Sequence, residues 1–372
     1  MKINNLGTPS ALVDLDRLER NATRMADHTR QLGVRLRPHV KTHKCVEAAR
    51  IQTRGHFGGI TVSTLAEAKG FAEAGFRDII YAVPIAPQKL TGALEIGLRI
   101  DRLAVLVDHM ETITAIEGIA GAHATIFPVW LKIDCGLHRA GVDPETERAV
   151  ALAKRLQNSI HIDFRGVLTH AGQSYDAVNR AEALAVAQEE VTVTLGFVDR
   201  LAKEEIGVPE VSIGSTPTIS SAESLEGIDE VRPGNYAFFD VFQSAIGSCS
   251  LDDVAFSVLA TVVSVHPEEN RAVIDAGALA LSKDPGPTHV DPGCGFGRIV
   301  AVEDQHPLPG LRLSSVSQEH GEISGPGTAA LRPGTLLRIL PNHSCLAAAC
   351  FDSYKIVRDT EIIDQWRPFR GW

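Results

Sequence analysis

Over its first two thirds the chain alternates short apolar or β-branched runs with longer stretches rich in Ala, Glu, Leu and Arg, and this alternation restricts the fold more than any other feature. The strand-like runs are Val34–Lys41, Gly59–Thr64, Asp78–Val83, Arg102–Asp108, Val129–Asp134, Phe164–His170, Val211–Ser215 and Glu230–Tyr236. Helical stretches such as Leu65–Ala74, Pro144–Gln157 and Arg180–Lys203 lie between them. Eight strands alternating with helices predict an α/β fold of the (β/α)8 TIM-type barrel class. An open doubly wound sheet would need fewer strands and a glycine-rich loop after the first, which this sequence lacks. After about residue 245 the texture changes, and 254–265, 271–280 and 334–340 read as strands separated by Pro- and Gly-containing turns. The expected division is a barrel over residues 12–245 and a mainly β domain over 246–372, joined by residues 1–11, with Ser10–Asp16 offering a further strand.

Charge and composition remove several functional classes. The 372 residues carry a net charge of −10 with no long basic run, which argues against a nucleic-acid surface. No stretch of about 18 apolar residues is present to span a membrane, and the N-terminal residues lack the charged and apolar regions of a signal peptide. A soluble, cytoplasmic protein is the expectation. Cys45, Cys135, Cys249, Cys294, Cys345 and Cys350 form no CxxC pair, so neither a disulfide framework nor a zinc ribbon is indicated.

Barrels of this class gather their chemistry at the C-terminal ends of the strands. Here those ends supply Lys41, Thr64, Asp134, His170, Ser215 and Tyr236, and the adjoining loops add Arg139, Tyr175, Thr216 and Asn235. Arg35, Arg37, His39 and Lys41 share one strand parity. They line either a solvated, anion-holding cavity, with Lys41 placed to meet a carbonyl, or a surface strand running into a basic helix start. Lys132 and Asp134 point towards the lumen, where an internal ion pair between them is one reading. Gly214–Thr218 and Arg232–Tyr236 offer small residues, hydroxyls and free N–H groups at the last two strand ends, where barrels often hold phosphate. A phosphate site beside a reactive lysine suggests pyridoxal 5'-phosphate.

In the β domain His343 and Cys345 follow an apolar strand, and on an extended segment both would project from one face. Imidazole with thiolate suits a borderline divalent metal, though such a pair also serves as ordinary packing. Pro292–Gly297 reads as a turn, and Gln318–Gly321 as a polar turn to which spacing assigns no chemistry.

Taken together, Arg37–Lys44, Thr169–Gly172 with Tyr175, Gly214–Thr218, Gln318–Gly321 and Pro341–Cys345 resemble the D-serine dehydratase and D-threonine aldolase family, part of the alanine-racemase-like group of pyridoxal phosphate enzymes. The resemblance implies a carbon–nitrogen lyase that eliminates water from a 3-hydroxy D-amino acid, threo-3-hydroxy-D-aspartate or D-serine, giving a 2-oxo acid and ammonia. It makes Lys41 the Schiff-base lysine and base, sets Tyr175 by the pyridine nitrogen, Arg139 near the phenolic oxygen and His170 among the cofactor contacts. Ser215, Thr216, Gly234, Asn235 and Tyr236 would hold the phosphate. His343 and Cys345 would bind a divalent metal, zinc first, with manganese, cobalt or magnesium as alternatives. Gln318 and His320 become candidates for a second substrate carboxylate, and a homodimer is implied. The aldolases of the family carry Asp where this chain has Cys345, which favours dehydration over retro-aldol cleavage to glycine and an aldehyde. A racemase, or a pyridoxal phosphate carrier without turnover, are the remaining alternatives.

Overall fold

The computed structural model describes residues 2–372, which divide into two compact units, residues 25–234 with 369–372 and residues up to 24 with 235–368. The division therefore falls near residues 24 and 234, about ten residues away from the sequence-based limits on either side. The chain starts with β1 (Ser10–Asp14), a strand of the second unit. It then supplies the first with β2 (Arg35–Leu36), β3 (Ile60–Val62), β4 (Asp78–Pro84), β5 (Arg102–Val107), β6 (Phe127–Lys132), β7 (Ile162–Leu168), β8 (Glu210–Ile213) and β9 (Glu230–Val231).

These eight strands form one parallel sheet in the order β2-β9-β8-β7-β6-β5-β4-β3. A bridge between His39 and Thr61 joins its two ends, with the Thr61 N–H donating to the Pro38 carbonyl at 2.9 Å, so the sheet closes as a barrel. Strand periodicity explains the two layers of core. Ile79, Tyr81, Leu103, Val105, Val129 and Leu131 face outward and pack with helix residues such as Phe71, Ile113, Leu152 and Phe197. Ile80, Ala104, Leu106, Trp130 and Leu168, of opposite parity, form a separate cluster that fills the lumen.

The first barrel strand differs from its expected form. Regular pairing covers only Arg35 and Leu36, and the backbone turns into a short 3-10 helix at Val40–Thr42, so Lys41 lies on a turn beyond the strand. Nor do Arg35 and Arg37, the part of the basic face at the strand, line an anion-holding cavity. Arg37 is only 2% exposed and donates to Glu230 at 2.6 Å and to Asp78 at 2.9 Å, while Arg35 pairs with Glu210. In a lumen that excludes water, a guanidinium is tolerated because carboxylates face it.

The second unit continues with β10 (Phe256–His266), β11 (Arg271–Ile274), β12 (Gly297–Val300), β13 (Arg312–Val316), β14 (Gly321–Ser324), β15 (Leu336–Pro341), β16 (Tyr354–Arg358) and β17 (Glu361–Trp366). Its sheet runs β13-β14-β11-β10-β1-β16-β17, with β15 also pairing β10 and β12. The segment read from sequence as a strand over 271–280 stops at Ile274 and turns into the helix Ala278–Leu281. β1 does join this sheet, antiparallel to β10 and parallel to β16.

Candidate active site

At the barrel rim, the 3-10 turn carrying Lys41 is capped by His39, whose Nδ1 accepts the Lys41 N–H at 3.4 Å. Lys44, three residues on, has a left-handed backbone (φ 54°) and its ammonium pairs with Glu67 at 3.0 Å. The two lysines of the segment thus have different surroundings. His39 and His170 both lie in the field of the Lys41 amine. Burial first, then the charge of Lys41, holds each imidazole well below the usual histidine range, so both are neutral at pH 7. The His170 Nδ1–H donates to the Gly214 carbonyl at 3.1 Å, which leaves Nε2 as its acceptor.

Deeper in the lumen Lys132 is buried, and desolvation followed by the charge of Arg232 lowers its ammonium to about 8. Arg232, lowered to about 10 chiefly by burial, donates from Nε to Ser212 Oγ at 2.8 Å and from Nη2 to the Thr169 carbonyl. The ion pair anticipated between Lys132 and Asp134 is replaced by a different arrangement. Asp134 turns to its own loop and accepts from the Gly136 N–H at 3.0 Å, the His138 N–H at 3.1 Å and His138 Nδ1 at 3.0 Å. The carboxylates nearest the lumen cations are Glu190 and Glu230. Glu190 is pushed up by burial and accepts the Ala171 and Gly214 N–H groups at 3.0 and 3.1 Å, and Glu230 is engaged by Arg37. Lys41, Lys132 and Arg232 outnumber them, so this rim suits an anion.

Arg139 is exposed on the loop after β6, and Tyr175 is half-buried in the 3-10 turn Gly172–Asp176. Ser215 caps the helix Thr216–Ser221 in a reciprocal box with Thr218, and its Oγ also meets Ser174 Oγ at 2.8 Å. Its hydroxyl therefore already serves the fold. At Gly234 a Cβ would stand 2.6 Å from the His39 carbonyl oxygen, so only glycine lets these two backbones approach. A cavity of about 820 Å³ at the N-terminal mouth, lined by Arg50, Phe57, Arg77, Asp78, Asp101 and Arg102, is a poor competitor as a site. Most of its charges are paired, Asp78 with Arg37 and Arg102, and Asp101 with Arg77.

In the β unit, His343 is the N-cap of the helix Ser344–Ala349 and Cys345 lies in its first turn. The two groups are brought together by a helix start, which corrects the extended geometry read from sequence. His343 Nδ1 is 3.3 Å from Asp284 Oδ2. Burial opposes charge on His343, yet the hydrogen bonds to Asp284 and Cys345 outweigh it and raise the imidazole to about 11. An imidazole beside a thiol, once both are deprotonated at the ligating atoms, is a donor set that suits a divalent metal. Asp240, fully buried, accepts from the Ser344 N–H at 3.0 Å and Asn235 Nδ2 at 2.7 Å. The Asn235 side-chain amide is thereby committed within the unit, its carbonyl accepts the Phe238 and Phe239 N–H groups at 3.0 and 2.8 Å, and Tyr236 beside it is buried. Gln318 and His320 are exposed in the turn between β13 and β14, which is pinned to the Ala278–Leu281 helix through Leu279 N–H to Gln318 carbonyl at 3.1 Å.

Arg232, Glu190, Asp240 and Asp284 are absent from the sequence-based candidates. Arg232 sat inside a segment singled out there and could have been recognised as a lumen residue by its parity with Glu230. Glu190 lies in the middle of the helix Arg180–Lys203, and only its buried position marks it.

Comparison with known proteins places the whole chain in a family. Residues 13–241 match the alanine racemase N-terminal domain, and residues 255–357 match a serine dehydratase domain. The chain belongs to the D-serine dehydratase family, an alanine-racemase-type barrel followed by a dehydratase domain. It is 38% identical to a D-serine dehydratase of Dictyostelium discoideum, over 100% of this chain and 98% of that one. It is 39% identical to the D-threo-3-hydroxyaspartate dehydratase of Delftia sp., over 99% and 98%. A solved structure of D-threo-3-hydroxyaspartate dehydratase, a cysteine-to-alanine variant in the metal-free form, superposes with a TM-score of 0.95 at 37% identity and covers all of both chains.

Proposed function

We propose that this protein is a pyridoxal phosphate- and divalent-metal-dependent lyase that removes water from a 3-hydroxy D-amino acid, with release of a 2-oxo acid and ammonia. The observation that carries the reading is the pairing, in one chain, of a cation-rich barrel rim around Lys41 with a His343–Cys345 donor pair. Full-length likeness to two dehydratases supports it.

In this reading pyridoxal phosphate supplies an electron sink for charge at the substrate Cα, and the metal supplies a Lewis acid for the β-hydroxyl. Lys41 would hold the cofactor through its amine, and the same amine would serve as the base for the substrate's Cα proton. Arg139, His170 and Tyr175 orient the ring. Ser215, Thr216, Gly234, Asn235 and Tyr236 would hold the phosphate, with the main-chain N–H groups of Thr216, Gly234, Asn235 and Tyr236 the principal donors, since the Ser215 N–H and hydroxyl serve its capping box with Thr218 and the Asn235 amide binds Asp240. His343 and Cys345 hold the metal, for which zinc is favoured by the thiolate and manganese, cobalt or magnesium are alternatives. The solved relative with a cysteine replaced and no metal is consistent with a metal in this family.

The preferred substrate is threo-3-hydroxy-D-aspartate, followed by D-serine, with Gln318 and His320 as partners for the extra carboxylate. Six cysteines without a disulfide fit a reducing compartment, and a cytoplasmic homodimer is the assembly proposed. Among the described residues no helix is long and apolar enough to cross a membrane. Ammonia release from the D- and L-forms of serine and threo-3-hydroxyaspartate, before and after chelation, tests the reading. Release from the D-forms alone, lost on chelation and restored by metal, is expected. Equal turnover of L-forms, or turnover indifferent to metal, would overturn it.

A further inference from the structure

Asp284 belongs to none of the roles assigned so far, yet its position is closely determined. It lies in the turn Ser282–Gly286, where its Oδ1 accepts the Gly286 N–H at 2.8 Å and its own N–H meets Ser282 Oγ at 3.3 Å. Its carbonyl accepts from Asn342 Nδ2 at 3.1 Å, and the same amide reaches the Gly295 carbonyl at 2.8 Å. Asn342 directly precedes His343, so the turn and the donor pair are tied through main chain as well as side chain. The second carboxylate oxygen, Oδ2, is then the one that faces His343 Nδ1, at 3.3 Å.

A carboxylate oxygen only accepts, so Nδ1 must carry a proton in that contact. The ring nitrogen that remains for a metal is Nε2. We infer that Asp284 is a positioning residue for the metal, acting through His343: it fixes the imidazole's orientation and its Nδ1–H tautomer, and so presents the Nε2 lone pair to a divalent cation. Metal-binding histidines generally donate their second N–H to such a partner, and removing it costs about 10–100-fold in affinity. Because Oδ1 is occupied by Gly286 and Oδ2 by the imidazole, Asp284 stands behind the ligand. This inference rests on the reading of His343 and Cys345 as the metal pair.

Two replacements separate orientation from mere support of the turn. Asp284→Asn retains an oxygen for the Gly286 N–H but sets an NH2 group against His343 Nδ1. The tautomer that satisfies it carries its proton on Nε2, the ligand atom. Asp284→Ala removes both contacts. The measurement is the affinity of the purified holoprotein for cobalt(II), by competition with a chelator, read through the thiolate-to-cobalt charge-transfer band and the ligand-field bands. Both variants should bind cobalt about 10–100-fold more weakly than the parent while keeping the yellow cofactor absorbance and, at saturation, the thiolate band. A structural role alone predicts weak binding in Asp284→Ala and parental binding in Asp284→Asn. Asp284→Asn within about twofold of the parent would therefore overturn the proposal, whether or not Asp284→Ala folds. If the parent fails to bind cobalt, or His343→Ala binds as tightly as the parent, the metal assignment itself is overturned, a result distinct from failure of the Asp284 role.

Discussion

Lys41 and Lys44 are three residues apart and chemically identical, but the chain treats them differently. Lys44 pairs with Glu67, whereas Lys41 lies on a turn where its charge helps to keep two imidazoles, His39 and His170, neutral. Replacing Lys41 by Ala should abolish cofactor trapped by borohydride, as read by peptide mass spectrometry, while the far-UV circular dichroism is unchanged. Trapped cofactor on Lys44 or Lys132 would refute the assignment. At this scale the sequence singled out Lys41 and the pair His343 and Cys345 as residue types, but not their local backbone, since Lys41 lies on a 3-10 turn and His343 and Cys345 lie at a helix start. It was illegible where meaning comes from a distant partner. Arg232 matters because Ser212 and Thr169 receive its N–H groups, and Asp284 because His343 faces it from 59 residues away.

Elements show the same contrast. The barrel strands could be read because each is apolar and is followed by a helix, whereas β13, Arg-Leu-Ser-Ser-Val, and β17, Glu-Ile-Ile-Asp-Gln-Trp, are half polar and resemble loops until their partners are known. β7 contains a bulge at which Gly166 has φ 125° and a Cβ would meet the Glu210 carbonyl oxygen on β8 at 1.8 Å. Gly166→Ala should therefore cost more than about 3 kcal/mol, by strain and loss of β7–β8 register, measurable by urea unfolding. Asp78, at the start of β4, is held at about 2: burial opposes its ionised form, but the hydrogen bonds and charges of Arg102 and Arg37 outweigh that. A depressed carboxylate contributes stability that is full above its unfolded value near 4 and is lost as pH falls through about 2. Asp78→Asn should thus lower stability by about 3 kcal/mol at pH 6, because it removes one partner of a buried pair, and by less at pH 3. An equal difference at both pH values would show that the charge on Asp78 is not what stabilises the barrel.

For the whole molecule, fold class, the change of texture after the barrel and the kind of chemistry were all legible. They depend on periodicity and on residue types at strand ends, which a single sequence displays. Substrate choice was not, because it depends on a pocket whose walls come from separated segments, among which the exposed Gln318 and His320 are only candidates. The family contains both dehydratases and aldolases, and the two chemistries differ in which bond to the substrate's Cβ breaks. Loss of the β-hydroxyl gives ammonia and a 2-oxo acid, whereas cleavage of Cα–Cβ gives glycine and an aldehyde. The central claim is elimination, and the product balance from threo-3-hydroxy-D-aspartate tests it most directly. Ammonia and 2-oxo acid in equal amounts, with glycine at background, is the predicted result, and glycine as the main product would contradict it.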